Sequence, residues 1–216
     1  MIKANLKKRI YTSFGLLFFA FLIAGFSTIL IFGLIILSVL SILEFLNLTN
    51  RITKKIFTLF ALNSFFILYI STFSILFFYF SNFLQLKIIL FSLLLTCVAS
   101  DIGGFIFGKL FKGPKLTKIS PNKTFSGAAG SLIFSVIIFS SSIFYFTGNF
   151  NLNIFSIAII TSLTCQLGDL LFSFVKRKAK VKDTGNFLPG HGGVLDRLDG
   201  ILVGLPAGFL SLTFIY

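Results

Sequence analysis

Residues Phe14–Leu43 read FGLLFFAFLIAGFSTILIFGLIILSVLSIL, a run without a single charge. A helix needs about 17–25 apolar residues to cross a bilayer, so this run is long for one crossing and barely enough for two. Its flanks decide between them. Lys3, Lys7, Lys8 and Arg9 precede it, and Arg51, Lys54 and Lys55 follow it. Loops on the cytoplasmic side collect Lys and Arg. Two basic flanks on one side require an even number of crossings, so the pattern predicts a tight hairpin bent near Gly25–Thr28. A basic start before an apolar run also suits a signal peptide. This run far exceeds the usual apolar core of one and lacks a small-x-small cleavage site, so it reads as retained membrane structure.

Working outward, further apolar runs lie at Ile56–Phe80, Leu84–Ala99, Ser131–Thr147, Leu152–Val175 and Gly200–Tyr216. In hydrocarbon the backbone must satisfy its own hydrogen bonds, so each is expected to be helical. The 19 Lys and Arg residues fall in blocks: four in 1–13, three in 47–55, one in 81–87, five in 101–126 and six in 176–199. Seven crossings, with the N-terminus inside, put 18 of the 19 on the cytoplasmic side. The expected fold is an all-α polytopic transmembrane bundle of about seven membrane helices, with a polar site at the cytoplasmic face.

Composition agrees. The chain is 56% hydrophobic and 12% charged, with 32 Phe residues. Soluble domains carry about 25% charged residues. A water-soluble globule and a disordered chain are both excluded. The net charge of +13 follows from topology and attraction to anionic lipid, and no nucleic-acid partner is needed. Cys97 and Cys165 sit in apolar runs outside any Cys/His cluster, and His191 is the only histidine. They read as small packing residues, with neither disulfide nor zinc implied.

Six acidic residues remain: Glu44, Asp101, Asp169, Asp183, Asp196 and Asp199. Carboxylates near lipid are costly and usually functional. Glu44 reads as a structural residue closing the first hairpin near Arg51. Asp183 reads equally well as a partner of its neighbour Lys182. In CQLGDLLFSFVKR, Cys165–Arg177, a helix would place Asp169, Ser173 and Lys176 at i, i+4 and i+7, on one polar stripe. An ion-pair ladder is the plain alternative. In KDTGNFLPGHGGVLDRLDG, Lys182–Gly200, the glycines and Pro189 forbid a helix between 184 and 193. Exposed N–H groups of such a loop can approach a phosphate. The loop runs into Asp196-Arg197-x-Asp199, two carboxylates at i, i+3 that can hold Mg²⁺ through oxygen. His191 suits a hydrogen-bond donor or an ordinary loop residue. The segment Asp101–Gly127 has five lysines and one acid, which suits a lipid headgroup or a nucleotide triphosphate.

The pattern S-F-V-K-R-x4-K-D-T-G-x2-L-P-G-H-G-G-V-L-D-R-L-D, Ser173–Asp199, resembles the signature of the phosphatidate cytidylyltransferase (CDP-diacylglycerol synthase) family. The upstream I-S-P-N-K-T, Ile119–Thr124, and G-D-L, Gly168–Leu170, resemble two further family blocks in the same order. The resemblance covers about residues 84–216. It implies a generic membrane-helix region over 1–83 and a catalytic membrane domain over 84–216, with cytoplasmic loops 101–126 and 176–199. It implies transfer of CMP from CTP to phosphatidate, with Mg²⁺ as cofactor, giving CDP-diacylglycerol and pyrophosphate. By the same resemblance Asp169 and Asp196 would bind metal, and Asp101, Lys123 and Lys176 would complete the catalytic set. Ser173, His191, Arg197 and Asp199 would contact substrate. Two positions depart from the family pattern: Phe125-Ser126-Gly127 stands where W-E-G is common, and Phe172 precedes the serine where an acid is common. The partners expected are CTP, phosphatidate and membrane lipid, with a homodimer left open. The expected location is the inner (plasma) membrane, with the site facing the cytoplasm. A related membrane nucleotidyltransferase acting on another lipid phosphate, and a transporter, are the competing readings. A transporter would place charges at mid-membrane.

Overall fold

The computed structural model describes residues 15, 18, 21–117, 119–148, 150–185, 187 and 192–215. Among these the fold is all-helical, and the only extended pairing is an isolated bridge between Lys115 and Thr124. Six helices follow in order: α1 (Ser27–Ile52), α2 (Ile56–Ser81), α3 (Leu84–Phe111), α4 (Phe125–Thr147), α5 (Leu152–Lys178) and α6 (Leu195–Ile215). Each is long and apolar enough to span a bilayer. Large apolar side chains such as Ile56, Phe57, Phe60 and Phe65 stand exposed along α2. Such an unbroken apolar surface belongs in lipid rather than water. The chain is a multi-pass membrane protein.

Residues 21–25 are helical and Phe26 is not, with φ −121° and ψ 115°. That break falls inside the expected bend. Residues 14, 16, 17, 19 and 20 of the first arm of the expected hairpin lie outside the described residues. Two helices run past the apolar segments that announced them. The first does not stop at Leu43 but carries Glu44 within it and ends at Ile52. The third passes Ala99, takes in Asp101 and ends at Phe111. The polar segment 101–126 is therefore a loop only from Lys112 to Thr124. A helix of 26–28 residues is about 40 Å long, some 10 Å more than the hydrocarbon core. Hydropathy registers only the part in lipid, while the backbone hydrogen bonding continues beyond it.

The chain divides into two units, with boundaries between α2 and α3, within α5 and within α6. One comprises α1, α2 and Val175–Leu198. In it α1 and α2 form an antiparallel pair. Ser38 bonds Ser74 (2.7 Å), the rings of Phe45 and Phe66 stack at 3.8 Å, and Thr49 Oγ1 donates to Asn63 Oδ1 (2.8 Å). The last turn of α1 carries Arg51, and the connection to α2 carries Lys54 and Lys55.

The other unit comprises Phe83–Phe174 and Asp199–Tyr216. Here α3 and α4 meet along small residues. A methyl on Gly103 would stand 2.5 Å from the Gly130 carbonyl oxygen, and one on Gly127 2.8 Å from that of Gly104. Close backbone approach of this kind is how helices associate in lipid, where apolar burial gives no advantage. Ser131 Oγ donates to the Ser100 carbonyl (2.7 Å) across the same seam. A second seam follows Gly200, Gly204 and Gly208 of α6. Gly208 lies against Leu93 and Thr161, and Gly204 lies against Cys97 and Cys165. These contacts step by four residues along α3, α5 and α6 together, so α3 and α5 run parallel and α6 runs against both.

Candidate active site

In the second unit the ladder between α5 and α6 continues one rung beyond Cys165, to Asp169 on α5 and Gly200 on α6, while Asp101 stands exposed on α3. A methyl on Gly200 would stand 2.9 Å from Asp169 Oδ1. Lys123 supplies the countercharge, its Nζ lying 2.8 Å from Asp169 Oδ2. The side chains of this pair are 29% and 19% exposed.

The S-P-N-K-T block explains how Lys123 arrives there. Ser120–Lys123 is a β-turn, closed by Lys123 N–H to the Ser120 carbonyl (3.0 Å), with Pro121 at the position its fixed φ favours. The Lys123 carbonyl accepts from Leu116 N–H (2.8 Å), which pins the backbone on its other side. Thr124 then caps α4 by accepting from Gly127 N–H (3.1 Å), meeting one of the four unpaired donors of the helix start. Ser173 lies one turn beyond Asp169 on α5 and is half-buried. Asp199 is half-buried at the head of α6 in this unit and accepts locally from Gly200 N–H (3.0 Å).

In the first unit α5 ends in a Schellman motif. Val181 N–H returns to the Lys176 carbonyl (3.0 Å) and Lys180 N–H to that of Arg177 (3.1 Å), with Lys180 left-handed at φ 56°. This reversal sends the chain back past Asp183, which is exposed, to Thr184, which is buried. Asp196, in the first turn of α6, ties this returning chain to the helix. Its Oδ1 accepts from Lys176 Nζ (2.7 Å), and its Oδ2 accepts from the N–H groups of Thr184 (2.8 Å) and Gly193 (3.0 Å). The Lys176–Asp196 side chains are only 12% and 7% exposed. Gly192 makes the turn at φ 83°, a left-handed conformation that glycine adopts without steric cost.

Glu44, on α1, completes this assembly and is 1% exposed. Its Oε1 accepts from Val194 N–H (2.9 Å). Its Oε2 accepts from Leu195 N–H (2.9 Å) and from Thr184 Oγ1 (2.5 Å). The residue expected near the end of the first hairpin is thus the acceptor for the start of α6. The loop N–H groups that the sequence offers to a phosphate are, at Thr184, Gly193, Val194 and Leu195, occupied by these two carboxylates. The backbone donors go to buried acids because an unmet donor there costs more than the bond gains.

Of the expected site residues, Asp101, Lys123, Asp169, Ser173 and Asp199 belong to the second unit, and Lys176, Asp196 and Arg197 to the first. Arg197 is exposed. His191 lies outside the described residues. Glu44 and Thr184 are the additions that sequence reading missed as site residues. Their partners lie 140 or more positions apart, and only the run of small residues around Gly193 hints at a crowded junction.

The class is therefore that of an integral membrane protein with lysine-countered aspartates set near the ends of apolar helices, a charge pattern suited to phosphate-bearing ligands. The family model described as the Cytidylyltransferase family matches residues 3–215, and the chain belongs to that family. A phosphatidate cytidylyltransferase of Mycobacterium leprae is 41% identical over 126 residues, 58% of this chain and 40% of the relative. One of Staphylococcus haemolyticus is 47% identical over 111 residues, 50% of this chain and 42% of the relative. One of Staphylococcus aureus is 42% identical over 134 residues, 60% of this chain and 50% of the relative. The matched segment thus spans half or less of these curated relatives.

Proposed function

We propose that the chain transfers CMP from CTP to phosphatidate, releasing pyrophosphate and forming CDP-diacylglycerol. The observation that carries this reading is the Lys123–Asp169 pair, which joins two separate signature blocks in one ion pair within an apolar unit. Family membership and the names of the relatives support it. The chemical problem is the meeting of two polyanions, one fixed at the bilayer surface. Lys123 and Lys176 supply positive charge where negative charge accumulates in the transition state. The attacking group is an oxygen of the lipid phosphate, already ionised, so no side-chain nucleophile is required. Ser173, His191, Arg197 and Asp199 serve substrate contact in this reading.

By the resemblance, Asp169 in the second unit and Asp196 in the first are each a carboxylate that could hold Mg²⁺. Among the described residues no three acidic, His or Cys side chains converge on one point. Mg²⁺ does not demand that, since it commonly takes one or two carboxylates together with substrate phosphates and water. Both aspartates offer hard oxygen. Asp169 is partly exposed, and Asp196 Oδ1 keeps a lone pair beside Lys176. When bound, the ion supplies charge neutralisation of the triphosphate. The basic blocks favour a site at the cytoplasmic face of the plasma membrane, and a homodimer is compatible with this reading.

The test is incorporation of labelled CTP, against competing nucleotides, into chloroform-soluble product with phosphatidate and Mg²⁺ supplied. Label in the lipid phase that CTP alone dilutes is the expected result. A folded, detergent-solubilised protein that leaves all label in the aqueous phase overturns the reading.

A further inference from the structure

We propose that Glu44 is a positioning residue, clamping both ends of the 184–195 loop so that Asp196 and Lys176 are presented in one arrangement. The clamp is built from three bonds to a single buried carboxylate. Thr184 binds it at one end of the loop, and Val194 and Leu195 bind it at the other. Thr184 is the shared element. Its hydroxyl lies 2.5 Å from Glu44 Oε2 and 3.1 Å from Asp196 Oδ2, and it has one proton to give. The shorter bond takes that proton, which fixes the Thr184 backbone where its N–H meets Asp196. Gly185 and Gly193 have no side chain because Glu44 fills the space. A methyl on Gly185 would stand 2.7 Å from Glu44 Oε1, and one on Gly193 would overlap Thr184 Oγ1 and Glu44 Oε2. Glu44 also accepts the first N–H groups of α6, whose positive end favours a carboxylate.

Substrate therefore has no need to meet Glu44 for Glu44 to matter. Its role rests on the nucleotidyl-transfer reading for its effect on rate, but not for its effect on the loop. The experiment uses the full chain in detergent, with a nitroxide on Phe187→Cys. Phe187 is 57% exposed, whereas Cys97 and Cys165 are buried, so labelling is selective. Glu44→Gln keeps the shape but turns an amide NH₂ toward a backbone N–H. The expected result is a several-fold faster label motion, a kcat lower by about tenfold or more and a KM for CTP within about twofold, because misplacement of a reacting group costs rate rather than binding. Glu44→Asp, which keeps both oxygens, recovers part of both effects. An unchanged spectrum in folded Glu44→Gln, or a mobile loop with unchanged kcat, overturns the proposal. Should Glu44→Gln fail to fold, Thr184→Val opens one end of the same clamp, and an immobile label there is equally fatal. A wild-type protein that immobilises the label yet makes no lipid product refutes the functional reading and leaves the clamp standing.

Discussion

Two lysine–aspartate pairs of similar length sit in very different surroundings. Lys123–Asp169 spans 2.8 Å and is partly open, held mainly by the turn that delivers the lysine. Lys176–Asp196 spans 2.7 Å and is nearly closed, with backbone N–H groups on the second aspartate oxygen and Glu44 behind them. The same two residue types thus do different physical work. The open pair is free to exchange its partner for a ligand. The closed pair also organises a loop, so breaking it leaves a largely buried charge without its counterion.

The largest expected effect separates charge from shape in the closed pair. Asp196→Asn should leave membrane insertion intact and lower turnover by about 10³-fold, as loss of a group that stabilises transition-state charge does. The assay is CMP transfer in detergent, and near-normal activity removes Asp196 from the mechanism. Next come the two lysines. Lys123→Met and Lys176→Met should each reduce turnover by about 10²-fold. Only Lys176→Met should also lower unfolding stability markedly, by about 3 kcal/mol, because it strands a buried carboxylate. Equal melting shifts in the two variants would erase the distinction between open and closed pairs. Gly200→Ala should cost about tenfold in turnover, since displacing a reacting group by even a fraction of an ångström is expensive. Its new methyl presses on both Cys165 Sγ and Asp169 Oδ1. The smallest effect sharpens the closed side. Lys180→Gly should stabilise by about 1 kcal/mol, because a left-handed residue without Cβ is unstrained. A fall in melting temperature would show that the lysine side chain matters more than its backbone.

The helices are legible in the sequence because hydropathy is set by the lipid, and a helix break at Phe26 falls within the bend that the charge pattern leads one to expect. Helix ends are harder to read. Glu44 and Asp101 look like boundary residues, although the backbone ladder continues beyond the apolar run in both cases. The glycine seams are written plainly, as Gly104-x-x-x-Gly108 and as Gly200, Gly204 and Gly208, but mean hydropathy drowns that spacing signal. In the site, the resemblance singles out the charged residues, and a polar stripe along α5 suggests that Asp169 and Lys176 act together. The structure gives Asp169 to Lys123 and Lys176 to Asp196. No local rule assigns partners 46 or 20 positions apart, and none would connect Glu44 with Thr184.

That last connection has a consequence for how the protein is made. Glu44 leaves the ribosome 140 to 151 residues before the donors that satisfy it. At a synthesis rate of about 5–20 residues per second, the interval is roughly 7–30 s. Throughout it an acidic group belongs to a helix already entering the bilayer with none of its eventual partners yet translated. Nascent α1 must keep that group in contact with water until residues 184–195 arrive, so the timing of biogenesis is written into a single side chain.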